Sequence, residues 1–314
     1  MIGRFDQSTK RQRVTRARWR WSLAYTSCAL ILLILSGCKK PSTFSTSDGF
    51  VSPLTPADIS YKELAQQYNA AIAGVDTLWS RADIEIEWVE VEEDGDRKYR
   101  SESGNGKFIM RRGEPYHETA MTVEKLGKIY LWAGSNVERY YLFDRVDGDN
   151  KALYVGEHGA DGRTRPFPLP IHPSMVPALL GLEPLPAAIP EGETGTTIDL
   201  YREQYLLSMP ELGMRLLIDP KTFRPTRVDL TDRSGFSVLT AKLSGQIEID
   251  TDEKLKPRSL LCNQAEVYVA GYESRFTLDF QSATTSARRV KDQMFDLDAL
   301  KKALKPDRVI DLDQ

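Results

Sequence analysis

Ser60 to Trp88 reads SYKELAQQYNAAIAGVDTLWSRADIEIEW, and the period of its apolar residues changes part-way along. Leu64, Tyr68, Ile72, Val75 and Leu78 recur at spacings of four and three, the stripe of an amphipathic helix over Ser60 to Trp79. Asp58 or Ser60 stands where a cap is needed. From Ala82 the period is two. Ala82, Ile84, Ile86 and Trp88 alternate with Asp83, Glu85 and Glu87, which predicts a strand with one dry face and one wet face.

Working outward, the acidic run Glu92 to Asp96 reads as a hairpin turn. Strand-like runs follow at Lys107 to Arg111, Glu118 to Glu124, Lys128 to Ala133, Arg139 to Phe143 and Ala152 to Glu157. Short strands at this spacing, without crossover helices, predict a sheet that is antiparallel throughout. Residues 165–190 then hold eight prolines around a short apolar helix candidate, Ser174 to Leu182. That density excludes central strands and suits either a helical plug across a sheet or a linker between two sheets. Alternation resumes at Thr197 to Ser208, Met214 to Ile218, Pro225 to Asp232, Ser237 to Ile249, Lys256 to Leu261, Ala265 to Ala270 and Ser274 to Phe280. A helix over Leu297 to Leu304 is expected to close the chain. The fold class is mainly β, of α+β type.

The N-terminus has a different character. Arg4, Lys10, Arg11, Arg13, Arg16, Arg18 and Arg20 precede the apolar run Leu23 to Leu35, the order of a secretory signal. The run is shorter than the roughly 20 residues that cross a hydrocarbon core. It ends in Leu35-Ser36-Gly37-Cys38, which resembles the bacterial lipobox. That resemblance implies cleavage before Cys38, diacylglycerol on its sulfur and, with Lys39 rather than Asp next, sorting to the outer membrane. Residues 1–37 are thus read as a signal peptide, 38–58 as a flexible tether of small polar residues and 59–314 as the folded domain.

Loss of residues 1–37 removes seven bases and one acid, leaving 35 Lys and Arg against 44 Asp and Glu, a net charge of −9. An acidic surface argues against nucleic acid, whose phosphates call for a clustered basic face. With Cys28 removed and Cys38 acylated, Cys262 stands alone, so no disulfide forms and Cys262 is read as a small core residue.

Little points to catalysis. His117, His158 and His172 form no short-spaced ligand pair, and the tract Arg145 to Asn150 lacks the glutamate that closes a calcium loop. There is no G-x-S-x-G elbow, P-loop or dinucleotide fingerprint. No catalytic residue, metal or cofactor is expected. What the chain has is a set of large apolar residues on one face of a broad sheet: Ile84, Ile86, Trp88, Leu216, Ile218, Phe276, Leu278 and Phe280. With few helices to cover that face, these residues are candidate linings of an apolar trough.

The segments Tyr68 to Ile72 through Trp79 to Ile84, Gly106 to Pro115 and Gly127 to Trp132 resemble those of the lipoprotein-localisation factors LolA and LolB. The resemblance spans most of residues 60–285. It implies an unclosed antiparallel barrel with helices in its mouth, and a non-enzymatic function: binding lipid or lipoprotein acyl chains at the cell envelope, anchored through Cys38 in the outer membrane and facing the periplasm. The alternative is a tethered scaffold with a filled barrel and a protein partner. A continuous apolar cavity favours the first, and a solid interior the second.

Overall fold

Ser60 is the residue that starts the first helix: its side chain accepts the Glu63 amide at 3.3 Å, and α1 runs over Tyr61–Ala71 after a short strand β1 at Thr55–Pro56. The computed structural model describes residues 54–91, 97–145, 150–159, 168–169, 171–191, 193–251, 259–271 and 274–314. The signal, Cys38, the acidic turn at residues 92–96 and most of the calcium-like tract lie outside the described residues.

The helix ends earlier than its apolar stripe. Gly74 takes φ +82°, a conformation that breaks the helix, and the chain turns into β2 at Thr77–Val91. Ile72, Val75 and Leu78 still point inward, from the turn and the strand rather than from a helix. Ahead of the helix, Thr55 and Pro56 of β1 pair with Leu200 and Asp199 at the sheet's edge.

The remaining strands of the first half are β3 (Arg97–Arg111), β4 (Glu118–Lys125), β5 (Lys128–Ser135), β6 (Arg139–Asp144) and β7 (Ala152–Glu157). A 3-10 turn at Pro173–Met175 leads into α2 at Val176–Leu179. Then come β8 (Thr197–Tyr201), β9 (Gln204–Met209), β10 (Met214–Ile218), β11 (Pro225–Thr231), β12 (Ser237–Ser244), β13 (Ile247–Asp250), β14 (Leu260–Leu261), β15 (Gln264–Val269) and β16 (Ser274–Thr284). Helix α3 (Leu297–Leu304) and strand β17 (Arg308–Asp311) end the chain.

Hydrogen bonding follows the order β1, β8, β9, β10, β11, β12, β15, β16, β2, β3, β4, β5, β6, β7, β17. No pairing joins β1 to β17 among the described residues, so the sheet is an unclosed barrel. It is not antiparallel throughout. β13 runs parallel to the end of β16, with Ile249 opposite Ala283, and β17 runs parallel to β7, with Val309 opposite Leu153. Neither strand is joined to its partner by a hairpin: β14 and β15 intervene between β13 and β16, and β17 arrives after α3.

Two layers cover the sheet. Inside, α1 and the proline-rich segment pack in the main core with the inward residues of both halves of the barrel. Outside, α3 sets Leu297 and Leu300 against Tyr141, Phe143, Leu153 and Val155, while Val290 and Phe295 cover Trp79, Ile109 and Ala120. Of the expected helices, then, α3 lies on the barrel's outer wall rather than in its mouth. Arg111 fastens this outer layer, bonded to Glu118 and, at 2.5 Å, to Asp292, with its guanidinium 5.1 Å from the Phe295 ring centroid. Among the described residues no helix is long and apolar enough to cross a membrane.

Candidate functional site

The alternations of β2 and β16, far apart in sequence, meet in register. Phe276 stands opposite Ile86, Leu278 opposite Ile84 and Phe280 opposite Ala82. Phe280 also meets Phe108 of β3 edge-on at 6.2 Å between ring centroids. Leu216 and Ile218 join the same core from β10 on the far side of β11, β12 and β15. Trp88 is half-buried at its margin. The candidate wall is therefore one continuous surface.

That wall is covered. Ile84, Ile86, Leu216, Ile218, Phe276, Leu278 and Phe280 are each at most 3% exposed. What covers them is α1, through Leu64 and Tyr68, with Ile72 from the turn after it, and the proline-rich segment, through Leu169, Ile171, Val176, Leu179, Leu182 and Leu185. The segment is a plug rather than a linker. Between plug and wall runs a seam lined by the apolar residues Ile86, Met121, Leu169, Ile171, Pro173, Val176 and Phe276, with a volume of about 10 Å³. That is about the room one water needs, and the seam offers water little polar surface.

The plug is fixed to α1 by polar bonds that the sequence does not announce. The Asn69 side-chain amide donates to the Leu185 carbonyl at 2.7 Å and accepts the Leu185 amide at 2.8 Å. Tyr61 donates to the Pro186 carbonyl at 3.0 Å. The Gly181 carbonyl, just past α2, accepts from both the Tyr68 hydroxyl at 2.9 Å and Arg224 Nη1 at 3.2 Å. Net contributions of about 0.5–1.5 kcal/mol each hold the plug without welding it. The one sequence signal for them is position: Tyr61, Tyr68 and Asn69 are polar or amphipathic residues close to the helix's apolar stripe.

Cys262 is buried in the main core, and burial pushes its thiol up from 9.0 to about 12. Burial likewise pushes the Tyr68 hydroxyl up from 10.0 to about 12. Both groups are neutral in the folded state and ionise more readily in the unfolded chain. Their contribution to stability is complete below pH 9.0 and is lost as pH rises toward about 12. Urea titrations at rising pH are expected to show stability falling by about 1 kcal/mol per unit once the thiol is passed, and Cys262→Ala to delay that fall to the tyrosine's range.

The histidines lie nearer one another than their spacing suggests. His158 stacks on Tyr116 at 4.0 Å, His172 meets Tyr140 edge-on at 4.0 Å, and the two imidazoles are 5.8 Å apart. His117 bridges to Glu183 at 2.5 Å, pinning the plug's C-terminal side to the start of β4. No group of three His, Cys, Asp or Glu able to hold a metal ion occurs among the described residues.

The half-barrel is similar to LolA-superfamily proteins. One such protein, from Nitrosomonas europaea, matches at 10% identity and a TM-score of 0.41, over 76% of this chain and 99% of its own. A domain from Vibrio parahaemolyticus, assigned as an outer-membrane lipoprotein-sorting protein, matches at 11% identity and 0.45, over 76% and 97%. A DUF1329-family protein from Desulfovibrio piger matches at 13% identity and 0.44, over 76% and 98%. No family model matches the sequence, and no curated protein does.

Proposed function

We propose that this chain is a non-enzymatic envelope lipoprotein, held on the outer membrane by lipid on Cys38, whose half-barrel shelters acyl chains by exchanging them for its own plug. One observation carries the reading. The interior of the barrel is filled not by the sheet closing on itself but by a separate apolar segment, lying along a seam lined by apolar residues. A guest of the same chemistry replaces one set of apolar contacts by another.

The energetics set the size of that guest. Val176, Leu179, Leu180, Leu182 and Leu185 are buried, and at about 1.5–3 kcal/mol each their burial is worth roughly 7–15 kcal/mol. At about 0.8 kcal/mol per methylene, matching this takes on the order of 10–20 methylenes, the length of one acyl chain. The fit favours a lipid or an acylated protein over a small apolar metabolite.

A second reading has an observation of its own. A seam of about 10 Å³ and a wall at most 3% exposed describe a solid barrel, which suits a tethered scaffold that binds a protein along the open edge of β17. Mass spectrometry of the protein from its native envelope, under non-denaturing conditions, separates the two. The first reading expects residues 1–37 absent, diacylglycerol on Cys38, a co-purifying lipid and saturable uptake of a fluorescent acyl probe. Cys38→Ala is expected to release the protein from the membrane fraction. An intact leader with unmodified Cys38 removes the lipoprotein assignment; a lipidated chain that retains no lipid and takes up no probe leaves the scaffold.

A further inference from the structure

Arg224 is a buried cation, 5% exposed, without an acidic partner among the described residues. Among the described residues its guanidinium makes one hydrogen bond, from Nη1 to the Gly181 carbonyl. Nε and Nη2 have no acceptor among the described residues, and neither is a fully buried atom. The groups nearest its charge, Tyr68 and Cys262, are both held neutral by burial. An uncompensated charge at such depth is costly, and burial lowers the guanidinium's own pKa accordingly.

Arg224 borders a pocket of about 320 Å³ whose other lining residues are Pro225, Thr226, Leu243, Gly245, Gln246, Leu261 and Cys262. Arg224 is the single charged residue among these linings. We propose that this pocket binds a carboxylate-bearing ligand, with Arg224 as its counter-charge. The Nε and Nη2 edge of a guanidinium is the fork that takes both oxygens of a carboxylate side by side. One negative charge balances the arginine, whereas a phosphate dianion leaves a second one uncompensated against Leu243 and Leu261. Those leucines and Pro225 select an alkyl rather than a polar body, and Thr226 and Gln246 lie at the polar part of the wall. The site does not rest on exchange of the plug.

Calorimetric titration of the full chain with acetate, decanoate and inorganic phosphate, at constant ionic strength, tests the proposal. One-to-one binding of the carboxylates is expected, with a shift of the Arg224 Nε resonance in arginine-labelled protein. Arg224→Met is expected to weaken binding at least tenfold, and Arg224→Lys to restore part of it without the two-point contact. Should Arg224→Met fail to fold, Gln246→Trp, at an exposed turn, narrows the mouth and is expected to weaken binding with its melting temperature unchanged. Equal affinity for acetate and decanoate assigns the site to a free small carboxylate, and decanoate at least tenfold tighter assigns it to the head of a fatty amphiphile. No saturable carboxylate binding, tighter phosphate binding, or unchanged affinity in the folded variants overturns the proposal. The acetate arm is indifferent to acyl uptake at the seam, so failure of one reading is distinguishable from failure of the other.

Discussion

Gly106→Val is expected to leave no cooperative folded state at room temperature. Gly106 lies in β3 between Ala82 of β2 and Val123 of β4, so both of its flanks are strand backbone. A Cβ there would stand 1.9 Å from the Thr122 carbonyl oxygen and 2.7 Å from Cδ1 of Ile84. Neither neighbour can yield cheaply. Moving the carbonyl opens the β3–β4 ladder, and moving Ile84 expels it from its place opposite Leu278 in the core. Overpacking alone costs about 1–3 kcal/mol, and each lost ladder bond adds about 0.5–1.5, against a total stability of about 5–15 kcal/mol. Circular dichroism melts give the readout. Gly106→Ala is expected to lower the melting temperature sharply, and valine to remove the transition. As a control, Gly127→Ala, at a turn where a Cβ meets nothing within 4 Å, is expected to cost only the strain of φ +74°, on the order of 1 kcal/mol. A valine variant that melts within a few degrees of the unchanged protein would mean that β2, β3 and β4 are not packed as described.

The residues of that triple show which parts of the fold were legible. Ala82, Ile84, Ile86 on β2 and Phe276, Leu278, Phe280 on β16 alternate so regularly that each strand's dry face is readable alone, and the register then joins them residue for residue. Met214–Ile218, Ala152–Glu157 and Leu297–Leu304 stand where their patterns predict. Misreadings occur where local signals are weak or contact is long-range. Thr197 to Ser208 reads as one strand because Arg202-Glu203 carries no turn signature, yet both residues take positive φ and close a two-residue hairpin. β17 is missed because Arg308–Asp311 is too short and too exposed to alternate, and only its parallel partner β7 makes it a strand. The candidate wall is legible as an apolar face, and a plug across the sheet is one of the two readings the proline-rich segment allows; what holds that plug in place is not legible. Proline density excludes strands from residues 165–190, but the bonds from Tyr61, Tyr68, Asn69 and Arg224 that seat the plug join positions 43 to 125 residues apart.

Because those bonds are few and the plug's grip on the wall is mainly apolar, a charge on the plug is the sharpest way to separate its fate from that of the barrel. Leu179 is 1% exposed, in α2 within the main core. Leu179→Asp forfeits about 1.5–3 kcal/mol of burial and asks an ionised carboxylate to enter an apolar interior, a penalty of several kcal/mol more. The sum is comparable with the roughly 6–12 kcal/mol that burial of Val176, Leu180, Leu182 and Leu185 still contributes, so the variant is expected to populate the plug-out state near neutral pH. If the interior is exchangeable, the sheet survives, with strand circular dichroism retained and uptake of an acyl probe rising at least tenfold because the guest no longer competes with the plug. Lowering the pH until the aspartate is protonated is expected to reverse part of that gain, since a neutral carboxyl is far cheaper to bury. If the barrel instead depends on being solid, the same substitution removes the cooperative transition and no pH restores selective uptake. The exchange reading therefore requires that expelling the plug leave an intact, acyl-binding sheet, since an acyl chain must be able to occupy the wall that the plug gives up.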